Sequence, residues 1–153
     1  MSTDPTFQSA SSRIKYQLIK AISANSSAAK VYGFEKLPLT QFPAVIVKTA
    51  NLDGEFWTNA TNMRIYSYRV TILYQVGNTP SDVTEDRMQF AEDAVSQVVD
   101  EIINVLDSDY ELGQYQLVRF IEAADGVYQP YEYEGGYAMG AELTIRVHTE
   151  YTV

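Results

Sequence analysis

Apolar and polar residues alternate along the last part of the chain. Tyr137, Met139, Ala141, Leu143, Ile145, Val147, Tyr151 and Val153, with Thr149 among them, take every second position, and Ala138, Gly140, Glu142, Thr144, Arg146, His148, Glu150 and Thr152 fall between. A period of two predicts a half-buried β-strand. As one strand it would extend roughly 50 Å at about 3.3 Å per residue, where about five or six residues is usual. The run 63–76, "MRIYSYRVTILYQV", alternates in the same way, with Tyr66, Tyr68, Val70, Ile72, Tyr74 and Val76 on one face, and predicts a second long strand. Two shorter runs, "PAVIVKTA" at 43–50 and "YQLVRFIEA" at 115–123, predict two more. The first opens on a proline, a permitted strand start.

The helical period occurs twice. Ile14, Leu18 and Ile22 are spaced by four, with Ile19 widening the stripe, and Ser11 or Ser12 is placed to cap that helix. Met88, Ala91, Val95, Val98, Ile102 and Val105 step by three and four and predict a long helix from Val83 to Asp107, with Asp82 and Glu85 at capping-box spacing. Residues 1–10 read as a loose leader and 31–42, with Gly33 and Pro38, as a connector packed on the domain. The stretch 51–62 reads as a polar loop and 124–136 as a Tyr-rich loop. The order is α-β-β-α-β-β. It predicts a single α+β domain over 1–153, an antiparallel sheet of about four strands, two of them long, with both helices on one face.

Composition changes this picture in three places. Twelve tyrosines stand against six phenylalanines and one tryptophan, a balance that suits wet interfaces and β-rich folds equally. The net charge of −9, with no cluster of cations denser than Arg13, Lys15 and Lys20, argues against general nucleic-acid binding. The absence of cysteine excludes disulfides and thiolate chemistry. No apolar run reaches the roughly twenty residues of a membrane span, and no secretory signal is visible, so a soluble protein made in a cytoplasm is expected.

Candidate chemistry is sparse. His148, the single histidine, stands with Glu142 and Glu150 on the polar face of the last strand. Alternate residues on a strand are about 6–7 Å apart, so an ion-paired face is a better reading than an acid–base site. Asp107, Asp109 and Glu111 alternate as calcium ligands do, but Leu112 and Val118 stand where an EF-hand loop needs Gly and Glu. "NAT" at 59–61 fits a glycosylation sequon that a cytoplasmic protein would not use. No phosphate loop, dinucleotide fingerprint or nucleophile elbow is present. The expectation is a protein without catalytic residues, cofactor or metal.

Two strands this long exceed what the helices can cover, and their ends then need a partner. Self-association is the common solution. Candidate contacts are Trp57, Tyr128, Tyr131, Tyr133, Tyr137, Arg146, His148 and Glu150. The alternative is a compact monomer in which the strands bend at Gly140 or near Ser67.

The leading helix, "FPAVIV" opening the first strand, the long hairpin, the central helix and the closing "ELTIRVHTEYTV" resemble the tail terminator (tail completion) proteins of long-tailed bacteriophages. The resemblance spans residues 10–153 and rests on element order and strand texture. It implies a homohexameric ring at the head-proximal end of the virion tail, capping the tail tube protein and facing a head–neck connector protein, with no catalytic residues. DNA would pass through an acidic lumen without specific binding. Asp93, Asp100 and Glu101, or Glu132 and Glu134, are candidates to line it. Other readings are a neck, connector or tail-tube subunit, a small ligand-binding α+β domain with tyrosines around a pocket, or an enzyme with an unrecognised carboxylate site.

Overall fold

The computed structural model describes residues 8–34, 39–56, 61–108, 118–133 and 136–152. Helix α1 (Ala10–Asn25) is followed by strands β1 (Lys30–Tyr32), β2 (Ala44–Phe56) and β3 (Thr61–Gly77). A 3-10 turn at Pro80–Asp82 leads into helix α2 (Glu85–Ser108), and β4 (Val118–Tyr133) and β5 (Gly136–Thr152) close the chain. The strands form one sheet in the order β1-β2-β3-β5-β4.

The α+β class and the two helices agree with the sequence pattern. The sheet differs: it has five strands and is mixed, because β1 pairs in parallel with the start of β2, Lys30 with Ala44 through Tyr32 with Ile46. Three residues are too few to show a period, so the sequence pattern leaves most of this edge strand in the connector. Leu39 and Phe42 of that connector do pack on the domain, with Leu39 buried. The predicted loops also shrink. Asn51–Phe56 belongs to β2 and Ala124–Tyr133 to β4. Their turn-type residues (Asp53, Gly54, Gly126, Pro130) are held extended by pairing with the longer β3 and β5. Context of this kind overrides weak strand propensity.

The long last strand is real. β5 pairs with β3 from Thr152–Thr61 to Tyr137–Gly77 and does not break at Gly140. Its apolar set lies under α2: Ala141, Leu143, Ile145 and Val147 share one core with Val95, Val98, Val99, Ile102 and Leu106 of α2, with Ile14, Leu18 and Ile22 of α1, and with Val45, Val47, Tyr68, Val70 and Ile72. Each fully buried aliphatic side chain there contributes about 1.5–3 kcal/mol, enough for this layer to fix the register of β3 and β5. Tyr68 anchors α1 to the sheet as well, its hydroxyl donating to the Ser11 carbonyl at 2.7 Å.

Helix ends differ by a residue or two from the sequence reading. Ser9 caps α1, its hydroxyl accepting from Ser12 N–H. Thr84 caps α2, accepting from Arg87 N–H. Asp82, expected to cap α2, instead closes the preceding turn. Its carboxylate accepts from the backbone N–H groups of Thr79 and Asn78 and from the Thr79 hydroxyl, which together hold it below the usual carboxylate range.

A smaller cluster sits on the opposite face of the sheet. Leu39 and Phe42 fold over Tyr32, Ala44, Ile46, Leu73, Ala138 and Tyr131. Beyond it the second face carries no helix among the described residues, and it bears Lys48, Arg69, Thr71, Glu142, Thr144, Arg146 and His148 with Glu122 of β4. No helix among the described residues is long and apolar enough to cross a membrane.

Candidate interaction surface

The expected contact residues are divided by the structure. Arg146 and His148 lie on the helix-free face. Tyr131 is on that face too, but inside the small cluster, its ring against the Cα of Gly140. The Tyr131 hydroxyl is buried without a hydrogen-bond partner among the described residues. Tyr128 points the other way, opposite Ala141 on the helix-bearing face, and is 44% exposed. Tyr137 shares that side, opposite Glu132. Trp57 lies outside the described residues, and only the backbone of Tyr133 is described, paired with Gly136.

His148 does have a carboxylate partner, but neither Glu142 nor Glu150. Its Nε2 donates to Glu122 Oε1 at 2.9 Å, across from β5 to β4, and Arg146 approaches the same oxygen at 4.0 Å. Arg69 and Glu142 make a second cross-strand pair at 3.0 Å, between β3 and β5. An imidazole–carboxylate contact can shuttle a proton. Here a guanidinium shares the carboxylate, and the three groups tie edge strand β4 to β5. Among the described residues no cluster of three or more His, Asp and Glu is arranged to hold a metal ion.

Glu122 escaped the sequence reading for a geometric reason. The β4–β5 pairing shifts by one between Ala124 and Gly126. Counting back from the Tyr133–Gly136 end without that shift would set Glu122 against Val147, on the core face. With it, Glu122 pairs with Arg146.

The lumen candidates also separate. Asp93 and Asp100 are exposed on α2, seven residues apart and so on one stripe. Glu101 is engaged within the molecule: its carboxylate accepts from the Ser27 N–H, from the Ser27 hydroxyl at 2.7 Å and from Gln97 at 3.1 Å, fastening the end of α1 to α2. Partial burial pushes its carboxyl up, but the hydrogen bonds from Ser27 and Gln97 outweigh that and leave it below the usual range. Glu132 is exposed on β4, and Glu134 lies outside the described residues.

Two recesses flank α1. One, of about 490 Å³, is lined by Asn25, Glu101, Asn104, Val105 and Ser108. The other, of about 280 Å³ and mostly apolar, runs between Ser12, Lys15, Tyr16 and Ile19 of α1 and Gly33 and Phe34 beyond β1. Phe34 is 68% exposed at its rim.

Charge is strongly partitioned. Residues 10–48 hold six cations (Arg13, Lys15, Lys20, Lys30, Lys36, Lys48) and one carboxylate, Glu35, whereas residues 49–153 hold five cations and eighteen carboxylates. The side formed by α1, β1 and the first part of β2 is therefore basic, and α2 and β4 are acidic. No protein-family model matches the chain, and no characterised protein matches it by sequence.

Proposed function

We propose that the protein is a non-enzymatic virion assembly subunit of the tail terminator type, which forms a ring on the tail tube, ends tail growth and joins the tail to the head through the neck. The observation that supports this reading is the reach of the sheet. Strands of 13 to 17 residues build a sheet whose edges the helices do not cover: β2 is exposed at each position from Thr49 to Leu52, beyond the end of β1, and edge strand β4 from Gly126 to Pro130, in rows where the central strands are buried or half-buried. Leu52, Val127 and Tyr128 are large exposed apolar side chains on those edges. Apolar strand edges of this kind favour a covering neighbour.

In this reading the Asp93–Asp100 stripe of α2 faces the lumen, where like charge keeps passing DNA from adhering. Self-association supplies the ring, six-fold by the family resemblance, and the tube and neck proteins are the other partners. The test is made on particles assembled without the protein. Tails of uncontrolled length, or tails that fail to join heads, are expected. Normal infectious virions would overturn the reading.

A further inference from the structure

The two edges of the sheet differ in charge and in shape, and their registers place them at one level. Reading across the strands, Lys30 aligns with Ala44, Leu73, Gly140 and Gln129; Val31 aligns with Val45, Ile72, Ala141 and Tyr128; and Tyr32 aligns with Ile46, Thr71, Glu142 and Val127. Edge strand β1 therefore lies in the same rows as the exposed segment of edge strand β4. The two also run in opposite directions, since β1 is parallel to β2 and each later pairing is antiparallel. Two copies set side by side in the same orientation bring β1 of one against β4 of the other, antiparallel and without a shift along the strands.

The side chains on these edges match. Tyr128 projects on the helix-bearing face, the layer that holds α1, and the apolar groove beside Phe34 opens between α1 and the residues after β1. Glu132, on the same side of β4 and exposed, would approach Lys15 and Lys20 of α1, of which Lys20 is exposed. Pro130 removes one backbone donor from the β4 edge, so side chains carry this contact more than an extended ladder does.

We propose that copies of this chain associate laterally and head to tail, with Tyr128 of one copy seated in the α1–Phe34 groove of the next and Glu132 against the lysines around it. The occupant is a second copy because the complementary edges belong to one chain, and a heterologous contact of this kind generates a ring or a filament rather than a two-fold dimer. The contact rests on the self-associating reading above and assigns it residues. Glu132 then belongs to the subunit contact and leaves the lumen to α2.

The absence of cysteine gives a direct test. Lys30→Cys and Gln129→Cys, which the registers place in one row and on one face, are made singly and together. Both positions are exposed, and melting temperatures should stay at the wild-type value. Within one copy the edge strands are about 19 Å apart, at about 4.8 Å per strand, too far for a disulfide. Under mild oxidation the two single variants mixed should cross-link to each other, neither alone should do so, and the double variant should yield multimers beyond dimer. In light scattering, Tyr128→Glu should weaken association about tenfold or more, as loss of a buried aromatic anchor does. Lys20→Glu and Glu132→Lys should each weaken it, and together restore part of it.

Self-cross-linking of either single variant would overturn the contact. An oligomer indifferent to all these substitutions would overturn it while leaving self-association standing, and a chain monomeric at every concentration would overturn both. Cross-linked rings with normal virions in the protein's absence would refute only the terminator reading.

Discussion

Glu122 and His148 meet at 2.9 Å across the β4–β5 pair, although their sequence positions give no hint of a common face. The contact ties edge strand β4 to β5 on the helix-free face. Glu122→Ala should destabilise the protein by about 1 kcal/mol, the range of a partly exposed charged hydrogen bond. Amide exchange should rise in β4 ahead of the other strands. A uniform rise across the sheet would show that Glu122 serves global stability instead.

Gly140 and Tyr131 are a fitted pair. A β-carbon at Gly140 would lie 2.5 Å from the Tyr131 ring and 2.6 Å from Leu73 Cδ2, distances that real side chains do not adopt. Gly140→Val should cost about 1–3 kcal/mol by overpacking. Tyr131→Ala should recover part of that loss in the double variant, so the two effects will not add. Additive losses measured by chemical denaturation would mean that the clash is relieved elsewhere.

Tyr68 couples α1 to the sheet through its hydroxyl. Tyr68→Phe keeps the ring and removes the donor to the Ser11 carbonyl, at a cost of about 0.5–1.5 kcal/mol. The cost should fall on α1 first, seen as easier proteolysis near its start with the melting of the sheet little changed.

Glu101 gives a pH dependence with a definite sign. Its folded-state carboxyl is held below the ordinary value, so its stabilising effect is fully present above the ordinary carboxylate range and is lost as pH falls through the lower folded value. Compared with Glu101→Gln, the wild-type chain should be more stable at neutral pH by about 1 kcal/mol or less, because solvent screens the site. The advantage should vanish in acid. An advantage that grows on acidification would contradict the Ser27 and Gln97 bonds as its cause.

The legible parts of this fold are those where burial imposes a period. Ile14, Leu18 and Ile22 mark α1, Val95, Val98 and Ile102 mark α2, and alternate residues from Tyr66 to Ile72 of β3 and from Ala141 to Val147 of β5 face the same core. The edges follow different rules. β1 is three residues long and has no period, and the outer parts of β2 and β4 are written in turn residues that pairing alone holds extended. The one-residue register shifts, between Thr49 and Asn51 and between Ala124 and Gly126, then reverse the face of everything beyond them. Val45 and Val47 face the helices at odd positions, whereas Leu52 does so at an even one, opposite Tyr66. For this reason Glu122 joins Arg146 and His148 on one surface while Tyr128 leaves it. The candidate surface was visible as residue types, but its grouping depended on two inserted residues that no alternation reveals.

The charge partition also decides how the molecule can be handled. Every lysine precedes Asn51, and Lys15, Lys20, Lys30 and Lys48 sit on α1, β1 and β2. Amine-reactive dyes, cross-linkers and coupling surfaces that engage these four lysines therefore do so from the α1–β1–β2 side, leaving β4 and the carboxylates of α2 turned outward. A lysine-coupled layer of this protein would be an oriented one, presenting the acidic edge to whatever is passed over it.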